Sequence, residues 1–329
     1  MQRSNVLYAL IALGLILAFD FFFTPGFFRV EIKNGHLFGS LIDIVFRASP
    51  IMIMAIGMTF VIATKGIDIS VGSVAAIAGA VAAVLASQAG APLWAVIAVP
   101  LLVALAFGAW NGVMVAVFGI QPIVATLILM VCGRGIAELI TEGRIWTFKN
   151  PGLDIVGNGF FLGVPFFITV VLIVLFVAWF LSRRTALGLF IESVGINSNA
   201  ATVTGIPAKA VTFGVYLATG FCAGLAGLFY SSEIRASDPG NAGLFTELDA
   251  ILAVVIGGTS MDGGRFFLGG TLVGALVMQA LTTTILTFGV PVVATLVLKS
   301  GVVIGIVFLQ SKEFRQGFVR ILTRARKAS

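Results

Sequence analysis

The strongest constraint on this chain is the recurrence of apolar runs long enough to cross a bilayer. Residues 6–23, 92–118, 123–140, 164–181, 211–230, 266–286 and 291–309 are such runs. A spanning helix needs about 20 predominantly apolar residues. In hydrocarbon every backbone N–H and C=O must find a partner within the protein, which leaves helices or closed barrels. A barrel needs short segments of alternating polarity, and these runs are apolar on all sides. Only 10% of the 329 residues are charged and 59% are hydrophobic, against roughly 25% charged in a soluble domain. The chain is therefore read as an all-α polytopic membrane protein, one transmembrane domain over residues 1–329.

Shorter runs complicate the count. Residues 50–64 and 74–86 flank a polar turn that holds Lys65, Gly66, Asp68, Ser70 and Gly72. Residues 250–256 stop at a second glycine-rich break, 257–265. With these, about ten transmembrane helices are expected, some of them broken. Asp68 and Ser70 suit the N-cap of the following helix. They equally suit a broken helix that turns polar groups toward a pore, since ionisable residues at membrane depth point to function. The two breaks resemble a weak internal repeat of the kind transporters place near a substrate path. Residues 24–49 read as a mixed polar segment, with the lone His36 at a surface or interface. Residues 6–23 lack a small-residue cleavage site and read as a retained helix.

Polar residues elsewhere have plainer readings. Arg134 and Glu138 stand at i and i+4, where they can pair on one helix face. Gly220 and Gly224 form a G-x-x-x-G step, a close-packing signature. The 39 glycines fit the same theme. Cys132 and Cys222 both lie in apolar runs, so neither a disulfide framework nor a metal site is indicated. Residues 141–163 leave room for a short amphipathic piece on a surface.

Residues 182–209 form a polar island between two spanning runs. Gly188, Gly195, Gly205 and Pro207 divide it into short pieces, and residues 191–204 can make two or three helical turns. Arg183 and Arg184 stand at one lipid boundary and Lys209 at the other. The island reads as a rigid handle for a partner or as an ordinary loop. An even number of spans puts both termini on one side, and the basic tail 310–329 marks that side as cytoplasmic. The island and residues 65–73 then also face the cytoplasm. The net charge of +6 belongs to this topology signal and not to nucleic-acid binding.

The chemistry that is missing narrows the function. There is no G-x-x-x-x-G-K-[ST], no H-E-x-x-H and no G-x-S-x-G, and only one histidine. No enzyme activity and no cofactor are expected. The acidic and basic ladders of an ion-coupled carrier are not evident either. This pattern fits the membrane half of a machine powered elsewhere.

Three stretches in order carry a resemblance. G-M-T-F-V-I-A-T-K-G-I-D-I-S-V-G-S at 57–73 is similar to the signature of permeases of bacterial ABC sugar importers, the ribose/xylose/galactose class. The usual string is close to G-M-T-x-V-I-x-x-G-G-I-D-L-S-V-G; here Lys65 replaces its first glycine and Ile69 its leucine. E-S-V-G-I-N-S-N-A-A-T-V-T-G-I at 192–206 resembles the coupling segment, and E-L-D-A-I-L-A-V-V-I-G-G-T at 247–259 also matches. Within the class, residues 36–44, 121–131 and 260–266 look most like the galactofuranose type.

The resemblance implies a permease of the bacterial inner membrane that moves a monosaccharide. It implies a separate ATP-binding subunit and a periplasmic sugar-binding protein. A second permease, in the galactofuranose type a different chain, would complete a heterodimer. It implies a cytoplasmic coupling helix in 182–209, with Glu192, Gly195, Asn197, Ala200, Ala201 and Gly205 as docking residues. Asp68, Ser70, Asn111, Gln121 and Gln279 are the polar candidates for the path. The alternatives are an ion-coupled carrier acting alone, a permease for ribose or xylose, and a lipid-modifying membrane enzyme.

Overall fold

The computed structural model describes residues 2–33, 35–88 and 90–310. The basic tail from residue 311 on lies outside the described residues. α1 (Gln2–Phe23) leads through the hairpin β1 (Glu31–Lys33) and β2 (His36–Phe38) into α2 (Ser40–Ala63). α3 (Val71–Ser87), α4 (Leu93–Ala116) and α5 (Pro122–Ile140) follow. A surface excursion holds β3 (Trp146–Thr147), α6 (Pro151–Asn158), β4 (Phe160–Phe161) and β5 (Val164–Pro165). The chain continues with α7 (Phe166–Arg184), α8 (Leu187–Ile196), α9 (Ser198–Val203) and α10 (Ala208–Ile234). It ends with β6 (Ala236–Ser237), α11 (Thr246–Ile256), α12 (Leu268–Thr287) and α13 (Val292–Gln310). The strands form two-stranded pairs, all antiparallel: β1 with β2 and β4 with β5 locally, and β3 with β6 across the chain.

Seven helices (α1, α2, α4, α5, α7, α10 and α12) are long and apolar enough to cross a membrane. The other three expected crossings fall on α3, with 17 residues, α11, with 11, and α13. At about 1.5 Å per residue, α11 covers only about half of a hydrocarbon core. The chain is thus the broken-helix membrane protein that the sequence predicts.

α2 and α10 form the centre, with α3, α4, α11 and α12 packed around them. The core runs along Ile51, Met54, Ala55 and Met58 of α2, against Ala75 of α3, Phe229 of α10, Val254 of α11 and Ala275 of α12. Small residues set the spacing. A β-carbon on Gly220 of α10 would lie 2.7 Å from both the carbonyl oxygen of Ala104 and Cα of Gly108 on α4. The predicted close-packing step is therefore used, and Gly108 is its counterpart.

One boundary differs from expectation. Residues 40–49 are the outer two and a half turns of α2, not part of a polar segment. Asp43 and Arg47, four apart on one helical face, line a polar cavity. Both are exposed, so their polarity marks an accessible helix face and not a loop. His36 behaves as expected for an interfacial residue, half-buried and stacked on Phe160 with ring centroids 4.2 Å apart.

Candidate functional site

The island 182–209 folds into two short helices, α8 and α9, joined at Asn197. That residue is extended (φ −156°), and its side-chain oxygen accepts from Ala200 N at 3.0 Å, capping α9. Val194, Ala201 and Ala208 pack with Ile206 and Val211, bracing both helices against the base of α10. Gly205 ends α9 in the left-handed region at φ +88°. Ala201 is therefore internal, while Ala200 is exposed and Glu192 half-buried. Leu189, Ile196 and Val203 turn apolar side chains outward, being 65%, 67% and 88% exposed. Gly195 is not on that outer face. It lies against the end of α2, where any side chain would overlap the carbonyl oxygen of Ala63.

Three predicted path residues converge at the break before α3. Ser70 Oγ donates to Asp68 Oδ1 at 2.6 Å and accepts from Asn111 Nδ2 at 2.8 Å. Ser70 N–H donates to the same Asp68 oxygen at 2.9 Å. Asp68 and Ser70 thus form a local turn, and neither side chain caps α3. All three residues are buried. Thr126 Oγ1 of α5 accepts from Ile69 N at 3.2 Å, tying the break to a fourth helix. This buried network leaves Asn111 Oδ1 without a partner and does not line the cavity described next. Gln121 is elsewhere again, exposed at the start of α5.

A cavity of about 700 Å³ opens between α2, α10, α11, α12 and α13, within the usual range for ligand pockets. Its walls come from the first half of α2 (Ser40, Asp43, Arg47), the last turns of α10 (Tyr230, Glu233) and the second half of α12 (Gln279, Thr282, Thr283, Thr287). Pro50 and Ile51 lie deepest along α2. α8 touches the opposite end of α2. The cavity and the island therefore occupy opposite ends of the helical body. Lys299 of α13 donates to both Asp249 oxygens of α11, at 2.8 and 3.1 Å. Arg47 Nη1 lies 3.7 Å from Glu233 Oε1. Arg47, Glu233, Asp249 and Lys299 are thus paired on the walls, Asp43 adds a fifth charge, and hydroxyls, one amide and the rings of Phe229 and Tyr230 are also part of the lining.

Of the predicted path residues only Gln279 lines this cavity. Asp249 and Lys299 are wall residues that the sequence reading does not single out. Asp249 stands beside Glu247 at the head of the run 250–256, whereas Lys299 does carry a signal, as an isolated charge inside the apolar run 291–309. Asp20, buried in α1 and accepting from Thr284 Oγ1 at 2.7 Å, is another such charge. Arg134 donates to the carbonyls of Pro239 and Ala242, pinning the loop before α11. Sequence spacing pairs it with Glu138 instead, because the loop's return to α5 is not a local feature. Among the described residues no group of acidic, His or Cys side chains could hold a metal ion.

Comparison with known proteins fits this architecture. Residues 40–309 match the family described as "Branched-chain amino acid transport system / permease component". The chain is 49% identical to the galactofuranose transporter permease protein YtfT of Escherichia coli K12, over 93% of this chain and 89% of that one. It is 40% identical to the fructose import permease protein FruF of Bifidobacterium longum, over 94% and 88%. It is 37% identical to the ribose import permease protein RbsC of Escherichia coli K12, over 93% of each. No solved structure matches. The chain therefore belongs to the family of branched-chain amino acid transport system permease components, in company with these sugar permeases.

Proposed function

We propose that this chain is the permease subunit of an ATP-driven importer that carries a monosaccharide, galactofuranose, across the bacterial inner membrane. The observation that carries the reading is the 49% identity to the galactofuranose permease over nearly the whole chain. The cavity supports it on chemical grounds. Four of its five charged groups are paired with one another. Threonine hydroxyls and Gln279 offer hydrogen bonds to sugar hydroxyls, and the Phe229 and Tyr230 rings offer apolar faces for C–H groups. Such contacts are individually modest, which suits a path that must release its cargo.

In this reading sugar arrives from a periplasmic binding protein at the cavity end. ATP is hydrolysed by a separate subunit that docks on α8 and α9 at the cytoplasmic end. Glu192, Asn197 and Ala200 lie on the docking side, while Gly195, Ala201 and Gly205 shape the two helices behind it. Gln279 contacts the sugar; Asp68, Ser70 and Asn111 hold the break before α3 together. A second, different permease completes a heterodimer. The test is ATP hydrolysis by the purified importer in proteoliposomes, with loaded binding protein and a panel of sugars. Galactofuranose is expected to stimulate it. Stimulation by ribose or xylose instead would replace the sugar, and no response to any sugar would reject the reading.

A further inference from the structure

Lys65 occupies a backbone position made for glycine. It follows the end of α2 with φ +64°. Lys65 N–H donates to Ile62 O, and Gly66 N–H to Val61 O, each at 2.9 Å. This pair of bonds defines the Schellman turn, in which a left-handed residue, usually glycine, ends a helix. α9, α11 and α12 close with the same pair of bonds, and place Gly205, Gly258 and Gly289 at the left-handed position. A β-carbon is strained there. α5 closes with the same pair of bonds and places Glu142 there at φ +55°, so of these five helices α2 and α5 carry a long side chain at that point.

That side chain reaches the coupling segment. Lys65 Nζ donates to the carbonyl oxygen of Ile196, the last residue of α8, at 3.0 Å. A helix C-terminus carries partial negative charge, so an ammonium is a favourable partner for it. The lysine stem crosses the 257–265 break at Gly263, where a β-carbon would lie 2.5 Å from Lys65 Cγ and 2.9 Å from Gly195 O. Beside it, Gly264 N–H donates to Ala63 O at 2.8 Å. The end of α2, the end of α8 and the second glycine-rich break therefore meet at one point, with Lys65 laid across it.

We infer that Lys65 is a positioning residue that clamps α8 to the two breaks, 64–70 and 257–265, so that a displacement of α8 moves both. The clamp stands on geometry; its part in transport rests on the proposed function. Lys65→Gly removes the strap and relieves the backbone. Lys65→Met removes only the charge, and Lys65→Arg keeps a cation at similar reach.

Two measurements decide the matter. The first is the mobility of a spin label at Val203→Cys, on the full chain in nanodiscs with Cys132→Ser. Mobility is expected to rise in Lys65→Gly and Lys65→Met and to stay near the parent in Lys65→Arg. The second is sugar taken up per ATP hydrolysed by the assembled importer. It is expected to fall roughly two- to fivefold in Lys65→Gly, the range one exposed charge-assisted hydrogen bond supports. Lys65→Gly should also unfold at no lower temperature than the parent, whereas a purely structural lysine predicts a loss. Unchanged label mobility overturns the clamp. Raised mobility with an unchanged uptake-to-ATP ratio overturns its role in transmission. If the unmodified importer couples no sugar to hydrolysis, the proposed function fails, and the label still decides whether Lys65 holds α8.

Discussion

Asp249 and Lys299 show what a charge pair set among apolar helices does in this protein. Their side chains are 15% and 12% exposed, and the ammonium bridges both carboxylate oxygens. Removing one partner leaves the other charge in a largely desolvated wall. Lys299→Met is therefore expected to cost about 1.5–3 kcal/mol, the range for a hydrogen bond to a charged group. The double change Asp249→Asn with Lys299→Met removes both charges and should recover much of that loss. Thermal unfolding of the parent and the two variants in detergent checks this. A double variant no more stable than Lys299→Met would mean that the carboxylate is stabilised by the cavity and not by the lysine. Neither residue is conspicuous in the sequence, because each sits in a stretch dominated by its apolar neighbours. Asp68, Ser70 and Asn111 do stand out, since polar groups at a glycine-rich break are locally conspicuous. Their separation from the cavity is not legible in the same way. It depends on which helices close around the break, a long-range property.

Elements were legible where the signal was hydrophobic length, and less so where polarity had two meanings. Runs of apolar residues located most spans. The first turns of α2 escaped because Asp43 and Arg47 stand on an exposed, cavity-lining face, and sequence alone does not distinguish such a helix face from a polar loop. The Gly220–Gly224 step was legible as a packing signature, yet its partner Gly108 was not, since the contact joins α10 to α4. That contact makes a sharp prediction. Gly220→Val should push the two helices apart, because even its β-carbon would meet Ala104 O and Gly108 Cα at 2.7 Å. Overpacking of this kind typically costs about 1–3 kcal/mol. Gly214, on the same helix, has open space where a side chain would begin, with no neighbouring atom within 4 Å of a β-carbon placed there. Gly214→Ala should be neutral or stabilising, by up to about 1 kcal/mol through helix propensity. Folded yield and melting temperature report both. Equal tolerance at the two sites would show that α4 and α10 can separate without loss.

At the scale of the whole molecule, the cavity and the α8–α9 pair sit at opposite ends of the helical body, and import gives that polarity a direction. The end bearing α8 and α9 displays Lys65, Arg183, Arg184, Lys209 and Arg265, against Glu192 and Asp262. The excursion at the cavity end mixes both signs, with the Glu142–Arg144 and Asp154–Arg235 pairs on its surface. An excess of Lys and Arg next to spans is retained in the cytoplasm. The basic tail argues the same way from sequence, but it lies outside the described residues, so the helical body must be tested by itself. Ser198 and Lys149 are both exposed and belong to the two opposite ends. In a Cys132→Ser background, Lys149→Cys should react with a membrane-impermeant thiol reagent added to intact spheroplasts. Ser198→Cys should react only after the membrane is opened. Cys222 is buried among packed helices, out of reach of a polar reagent, so it should stay silent in both. Labelling of Ser198→Cys in sealed cells would invert the molecule. The cavity would then open toward the cytoplasm, and a sugar delivered from the periplasm would meet the α8–α9 end first.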